Sequence, residues 1–321
     1  MNVDKTFVNA MCISRQKYLL GKDKLARLLE AQDFEEAFRM LGEFGFGEGD
    51  VAPEAYEQLL YGELGQLYAF ARAYAPTEAI KAFCLAPRDF YNAEYLLRQA
   101  YVNLPTVPMQ EGTVPIERVK KGVAGAYNQL PAYLVAPIKE AQASFDRGDA
   151  TGVGVSTIFN RALYAYLLSV CKDRRTKGYV QWQIDTKNIS IALRADTRAE
   201  LESMWIEGGK LSVDTLLLLQ KGERTAVDRR FLQTDYTEVV RAAVDAKEKR
   251  LPLVKYENAV DSAFLRTLLP QRYSSEGVAP FLLYFGYKTN DIANVRVILA
   301  GKLAGADKES IKERLRVSYG E

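Results

Sequence analysis

The ten residues DFYNAEYLLR (89–98) return as DTKNISIALR (185–194) and again as DIANVRVILA (291–300). Any fold for this chain must accommodate that triplication. On an α-helix turning about 100° per residue, the positions four, seven and eight beyond each Asp fall on one face. They are Ala93, Leu96 and Leu97 in the first copy, Ile189, Ala192 and Leu193 in the second, and Val295, Ile298 and Leu299 in the third. All nine are apolar, which is the core stripe of an amphipathic helix. Asp89, Asp185 and Asp291 stand at the head of that stripe, where a carboxylate accepts unpaired backbone N–H groups and complements the helix dipole. Each is therefore expected to open a helix, with Pro87 just before the first copy and Thr289-Asn290 just before the third. Asn92, Asn188 and Asn294, beside the stripe, are expected to tie that helix start to a neighbouring helix. Arg98 and Arg194 fall on the opposite face, toward solvent, another repeat or a partner. The third copy has Ala300 at that place and Lys302 two residues later. A catalytic constellation is asymmetric and occurs once, so a motif written three times reads as structure, with no catalytic, cofactor or metal residue assigned.

Each motif lies in a longer unit. Upstream stand long amphipathic patterns, YEQLLYGELGQLYAFARAYA (56–75), VSTIFNRALYAYLLSVCKDRR (155–175) and YENAVDSAFLRTLLPQRY (256–273). Downstream come glycine turns and a new helix start, EGTVPIERVKKG and EGGKLSVDTLLLLQ, with the shorter AGADKESIKERL after the third. RLPLVKY (250–256) is the best strand candidate and is brief. The expected class is all-α, with three similar helical domains at 1–113, 114–208 and 209–321, set in a line or around an axis. A period of roughly one hundred residues is too long for tetratricopeptide or armadillo arrays.

Composition removes many chemistries. Histidine is absent, which excludes Ser-His-Asp and Cys-His arrangements and HExxH metal sites. No GxxxxGK[ST] phosphate loop occurs. The glycines of LGEFGFGEGD (41–50) follow a helical pattern, where glycine is a C-terminal cap and loop former. A magnesium site of the helical DDxxD type would need a second acidic cluster, and no DDxxD is present. Cys12, Cys84 and Cys171 show no CxxC spacing, the profile of buried thiols in a reducing compartment. A net charge of +2 carries no field that argues for nucleic acid. The longest uncharged run, 122–138, is broken by prolines and too short to span a bilayer, so membrane association is expected only through a partner.

Taken along its whole length, the chain resembles the C subunit of the archaeal and bacterial V-type (A-type) ATPases, whose eukaryotic homologue is the d subunit of the V-ATPase. The resemblance rests on Phe7, Asn9-Ala10 and Leu19-Leu20 at the start, and on LARLLEAQDFEEAFRMLGEFGFG (25–47) after it. It continues through Asp89-Asn92-Arg98 and Asp185-Asn188-Arg194, incompletely through Asp291-Asn294, and closes with PFLLYFGYKTNDIANVRVILAGKLAGADKESIKERL (280–315). The chain departs from the pattern at NAMCIS (9–14), where relatives carry Asn-Ala-Arg-x-Arg, and at Ala300. The resemblance implies a three-domain, pseudo-threefold helical funnel, without cofactor or catalysis, on the cytoplasmic side of the membrane. Its implied partners are the membrane proteolipid ring and the central-stalk subunits, between which it transmits torque for proton or sodium transport. Two other classes share parts of the pattern: a helical-repeat scaffold or adaptor, and a helical Asp/Asn metal-dependent enzyme.

Overall fold

The computed structural model describes residues 4–47, 51–221, 224–250 and 252–320. Among them every regular element is helical and no strand occurs. The helices are α1 (Lys5–Arg15), α2 (Gly21–Glu30), α3 (Phe34–Glu43), α4 (Tyr56–Tyr74), α5 (Glu78–Val102), α6 (Ile116–Val123), α7 (Ala132–Arg147) and α8 (Gly152–Val170). They continue as α9 (Arg174–Arg194), α10 (Arg198–Met204), α11 (Val213–Lys221), α12 (Arg224–Phe231), α13 (Thr237–Glu248), α14 (Val254–Leu268), α15 (Ala279–Leu303) and α16 (Lys308–Lys312). The brief strand candidate at 250–256 is no strand. Arg250 is in a left-handed conformation at φ 49°, Val254 begins α14, and Leu251 lies outside the described residues.

Two compact units divide the chain, 77–233 in one and 1–76 with 234–321 in the other. The discontinuous unit is organised around α15, which packs on α1, α2, α3, α4, α14 and α16. Its residues Phe281, Val295 and Ile298 are fully buried, and Phe70 of α4 stacks on Phe281 with ring centroids 5.8 Å apart. In the continuous unit α5 holds the centre, against α6, α7, α8 and α9. Tyr133 and Tyr166 stack there at 4.0 Å, with Phe90 against Tyr133 at 5.7 Å. A helix touched on most sides must be apolar round most of its circumference, and α5 and α15 are.

The triplicated motif does not begin its helices. Asp89 is the twelfth residue of α5, Asp185 the twelfth of α9 and Asp291 the thirteenth of α15. The true starts lie a full eleven or twelve residues earlier. Thr77 caps α5 by accepting from the Ile80 N–H, and Asp173 caps α9 by accepting from Arg175 and Thr176. Pro280 occupies the first turn of α15. Pro87, read as punctuation, lies inside α5. A proline there costs about 3 kcal/mol in an isolated helix, yet α5 is buried against four others, and that packing outweighs it.

The apolar stripe holds its place. Seven of its nine residues are buried, and Leu96 and Leu193 are half-buried. The glycine run after α3 works as a cap, since Phe46 N–H reaches the Leu41 carbonyl at 2.9 Å while Gly45 adopts φ +68°. Gly49 of that run lies outside the described residues. Cys12, Cys84 and Cys171 are free and buried.

Candidate functional site

A carboxylate in the middle of a packed helix cannot cap its own backbone, whose N–H groups are already engaged. Buried and charged, it needs donors from elsewhere. Asp89, Asp185 and Asp291 are each fully buried, and each takes those donors from a connecting segment.

Asp89 accepts the Thr113 N–H on Oδ2 and the Val114 N–H on Oδ1, both at 3.0 Å. The Thr113 hydroxyl donates to the same carboxylate and also meets the Tyr133 hydroxyl at 3.0 Å. Asp185 accepts on Oδ1 from Lys210 N–H at 2.9 Å and Leu211 N–H at 3.0 Å. Each carboxylate therefore grips the segment that leads into the next helix, α6 in one case and α11 in the other. Asp291 differs. Its Oδ2 accepts the Leu20 N–H at 2.9 Å, beside the start of α2, while Oδ1 is buried with no partner among the described residues.

Asn92 and Asn188 hold the same segments as their aspartates a little further upstream, whereas Asn294 holds the chain after α16 and not the Leu20 segment gripped by Asp291. Asn188 donates to the Ile206 carbonyl at 2.8 Å and accepts its N–H at 3.1 Å, so one amide saturates one residue. Asn294 does the same for Arg316, at 3.0 and 2.7 Å. Asn92 donates to the Gln110 carbonyl at 2.9 Å. The expected link to a neighbouring helix is thus replaced by a link to connecting backbone. That backbone runs outside any ladder and would otherwise present unpaired groups.

Two glycines make the close approach possible. A Cβ on Gly112 would lie 2.3 Å from Asp89 Oδ1 and 2.6 Å from the Leu85 carbonyl, and one on Gly209 would lie 2.2 Å from Asp185 Oδ1. The turns EGT and EGGK carry these glycines visibly, but their pairing with the aspartates is not a local pattern. The residue before Leu20 is Leu19, with a side chain, and there a single N–H reaches the carboxylate.

Electrostatics follow the same division. Burial raises Asp89 above the ordinary carboxylate range, opposed by the Thr113 and Val114 bonds. Burial pushes Asp291 up to about 6, against the pull of Leu20 N–H, Lys288 and Lys24, with Glu63 pushing further up. Lys288, one turn before Asp291, is ion-paired with the buried Glu63 and lies 4.5 Å from the centre of the Phe46 ring. Glu63 also accepts the Gly47 N–H at 3.0 Å.

The basic residues do not act alike. Arg98 pairs with Glu94 one turn back at 3.4 Å, and Glu94 also accepts from the Ser156 hydroxyl at 2.6 Å. Arg194 is exposed at the end of α9 and forms no ion pair or hydrogen bond with any described residue. Lys302 donates to the Leu29 carbonyl at 3.2 Å and to that of Ala31, a cation on the C-terminal end of α2 where the dipole favours one. The groups facing the three carboxylates are mainly N–H donors, whose positive ends disfavour a cation in the same place. This chemistry fastens backbone.

Long helices whose buried Asp and Asn side chains pin backbone outside them define the class of the chain as an all-helical protein. Residues 8–314 match the ATP synthase (C/AC39) subunit family, and the chain belongs to that family. Among its relatives, the C subunit of the V-type sodium ATPase of Enterococcus hirae is 22% identical over 97% of this chain and 98% of its own length. The C subunit of the A-type ATP synthase of Methanocaldococcus jannaschii is 24% identical, covering 96% of this chain and 85% of the relative. That of Halorubrum lacusprofundi is 27% identical, over 93% and 90%.

Proposed function

We propose that this chain is a non-catalytic coupling subunit of a V-type or A-type rotary ATPase, joining the membrane proteolipid ring to the central-stalk subunits and transmitting torque between them. It sits peripherally on the cytoplasmic side, without entering the bilayer, and serves ATP-coupled proton or sodium transport. Family membership supports this together with the relatives' names, one a sodium ATPase subunit and two ATP synthase subunits. The observation that carries the reading is the set of three clasps at Asp89/Asn92, Asp185/Asn188 and Asp291/Asn294. A part that passes on torque must not yield at its connections, and pinning each connecting segment to a dense helix core stiffens the places where a helical chain bends most easily.

In this reading the three clasps belong to three related lobes, 1–113, 114–208 and 209–321, about a pseudo-threefold axis. The α2 segment gripped by Asp291 is then the counterpart of the α6 and α11 segments gripped by Asp89 and Asp185. Equivalent helix ends about an axis suit a partner that is itself a ring.

The test has two arms. The chain should come away from solubilised membranes with proteolipid and stalk subunits. A complex assembled without it should still hydrolyse ATP in the soluble sector yet fail to pump ions into vesicles. Undiminished pumping without the chain would refute the coupling role.

A further inference from the structure

The link from α8 to α9 and the first turn of α9 read Lys172-Asp173-Arg174-Arg175-Thr176-Lys177. Lys172, Arg174, Arg175 and Lys177 are all exposed, and none forms an ion pair or a side-chain hydrogen bond with any described residue. No acid stands in the first turn of α9. Three cations at the start of a helix oppose its dipole, which favours acids there and cations at the far end. Other helices of the chain follow that preference, with Arg27 in the last turn of α2 and Lys302 in the last turn of α15. A local choice that disfavours the fold and is offset by no contact within the chain points to a use outside it.

The adjoining elements leave the charge standing. The start of α5 lies alongside, since the Cys171 thiol donates to the Ala79 carbonyl at 3.6 Å and the Phe83 and Tyr179 rings are 6.3 Å apart. There Lys81 is partnered by Glu78 at 4.0 Å. Asp173 is spent on the helix start, accepting the N–H groups of Arg175 and Thr176 and the Thr176 hydroxyl. The last turn of α8, 167–170, carries no acid. Five cations therefore meet two acids, and both acids are engaged. The same bonds bear on the kind of anion that fits. Asp173 already takes the N–H groups that a lone phosphate would use at this helix start. No Trp, Phe, Leu, Ile, Val or Met stands between 171 and 178, so the patch lacks the apolar side chains with which a helix lies in a bilayer surface.

We propose that this patch docks an acidic segment of another subunit, whose Asp and Glu side chains face Arg174, Arg175 and the two lysines. Guanidinium forks take carboxylates in bidentate pairs, and long flexible cations spread over a turn suit a partner whose charge is spread over several residues. A field of one sign also steers such a partner toward its seat. Docking brings negative charge to the positive end of α9, so the arrangement that disfavours the free chain becomes favourable in the complex. The proposal rests on the chain being a subunit of a larger assembly.

The experiment treats the complex purified from membranes with a water-soluble carbodiimide, which joins a lysine amine to a touching carboxylate as an amide. The joined peptides are identified by mass spectrometry. The expected product links Lys172 or Lys177 to an Asp or Glu in an acid-rich stretch of another subunit. R174E/R175E should lower its yield at least about tenfold, the scale of one lost interfacial charge pair. The same variant should raise the urea midpoint of the free full chain, because acids suit a helix start. A product confined to acids of this chain overturns the proposal, as does an unchanged yield or a lowered urea midpoint in R174E/R175E. Adsorption of the free chain to vesicles of phosphatidylserine and phosphatidylcholine, lost in R174E/R175E, overturns it in favour of a membrane surface. If the chain co-purifies with its complex while both lysines stay unlinked, the patch assignment falls and the coupling role stands. If the chain does not co-purify at all, both fall.

Discussion

Replacing Asp291 by Asn should stabilise the unit that contains it at neutral pH and not at pH 4. The wild-type carboxylate is fully buried, holds one N–H and leaves Oδ1 unpaired, so ionising it inside the fold is unfavourable. Its folded-state value, about 6, lies above the ordinary 3.8. A raised carboxylate contributes its stability in full below pH 3.8 and loses it as pH rises through 6. At 1.36 kcal/mol per pH unit, the loss across that window is about 3 kcal/mol. Asn keeps an oxygen for the Leu20 N–H but adds an amide N–H₂ where Oδ1 has no partner, a constant cost of about 1–2 kcal/mol. D291N should therefore be no more stable than wild type at pH 4 and about 1–2 kcal/mol more stable at pH 7.5. The change between the two pH values, not either absolute number, carries the test. Trp182 and Trp205, the only two tryptophans, both lie in the 77–233 unit, so their fluorescence reports on the wrong part of the molecule. The direct readout is hydrogen exchange at the Leu20 amide, the group that Asp291 holds. A difference between mutant and wild type that stays flat within about 0.5 kcal/mol from pH 4 to 7.5 would refute the reasoning.

Other consequences are tested more simply. G209A and G112A should each cost about 2–3 kcal/mol by forcing a Cβ into a gripped carboxylate, while G178A, in α9 with nothing within 4 Å, should gain up to about 1 kcal/mol. Urea midpoints from tryptophan fluorescence suit all three, because both tryptophans share their unit. D185N should destabilise by about 1–3 kcal/mol at neutral pH, opposite in sign to D291N, because an amide placed against Lys210 and Leu211 N–H groups loses acceptor capacity. K288M should cost about 3–5 kcal/mol by stranding the buried Glu63, and adding E63Q should recover most of it. If the double variant is as unstable as K288M alone, the loss comes from packing over Phe46 and not from charge.

The contrast between Asp185 and Asp291 shows where sequence reading succeeds and where it stops. The stripe at Ala93, Ile189, Val295 and their neighbours is a local periodicity, and periodicity survives into the fold because one face of a helix must be buried whatever surrounds it. The placement of the helix starts failed because Pro87 and Thr289-Asn290 carry only local preferences, and burial on several sides overrides a few kcal/mol of propensity. The same burial turns an apparent cap into an interior charge that has to recruit donors from a distance. Gly112 follows Asp89 by 23 residues and Gly209 follows Asp185 by 24, a recurrence visible in the chain once a buried acid is known to need a glycine-admitted N–H. For Asp291 no such spacing exists, because its donor is 271 residues away in the opposite direction. That segment carries Leu19 where the others carry glycine, and the result is a carboxylate with half its bonds and a proton affinity near 6. Three identical residues in sequence are therefore three different chemical groups in the fold, distinguished by what each connecting segment brings back to them.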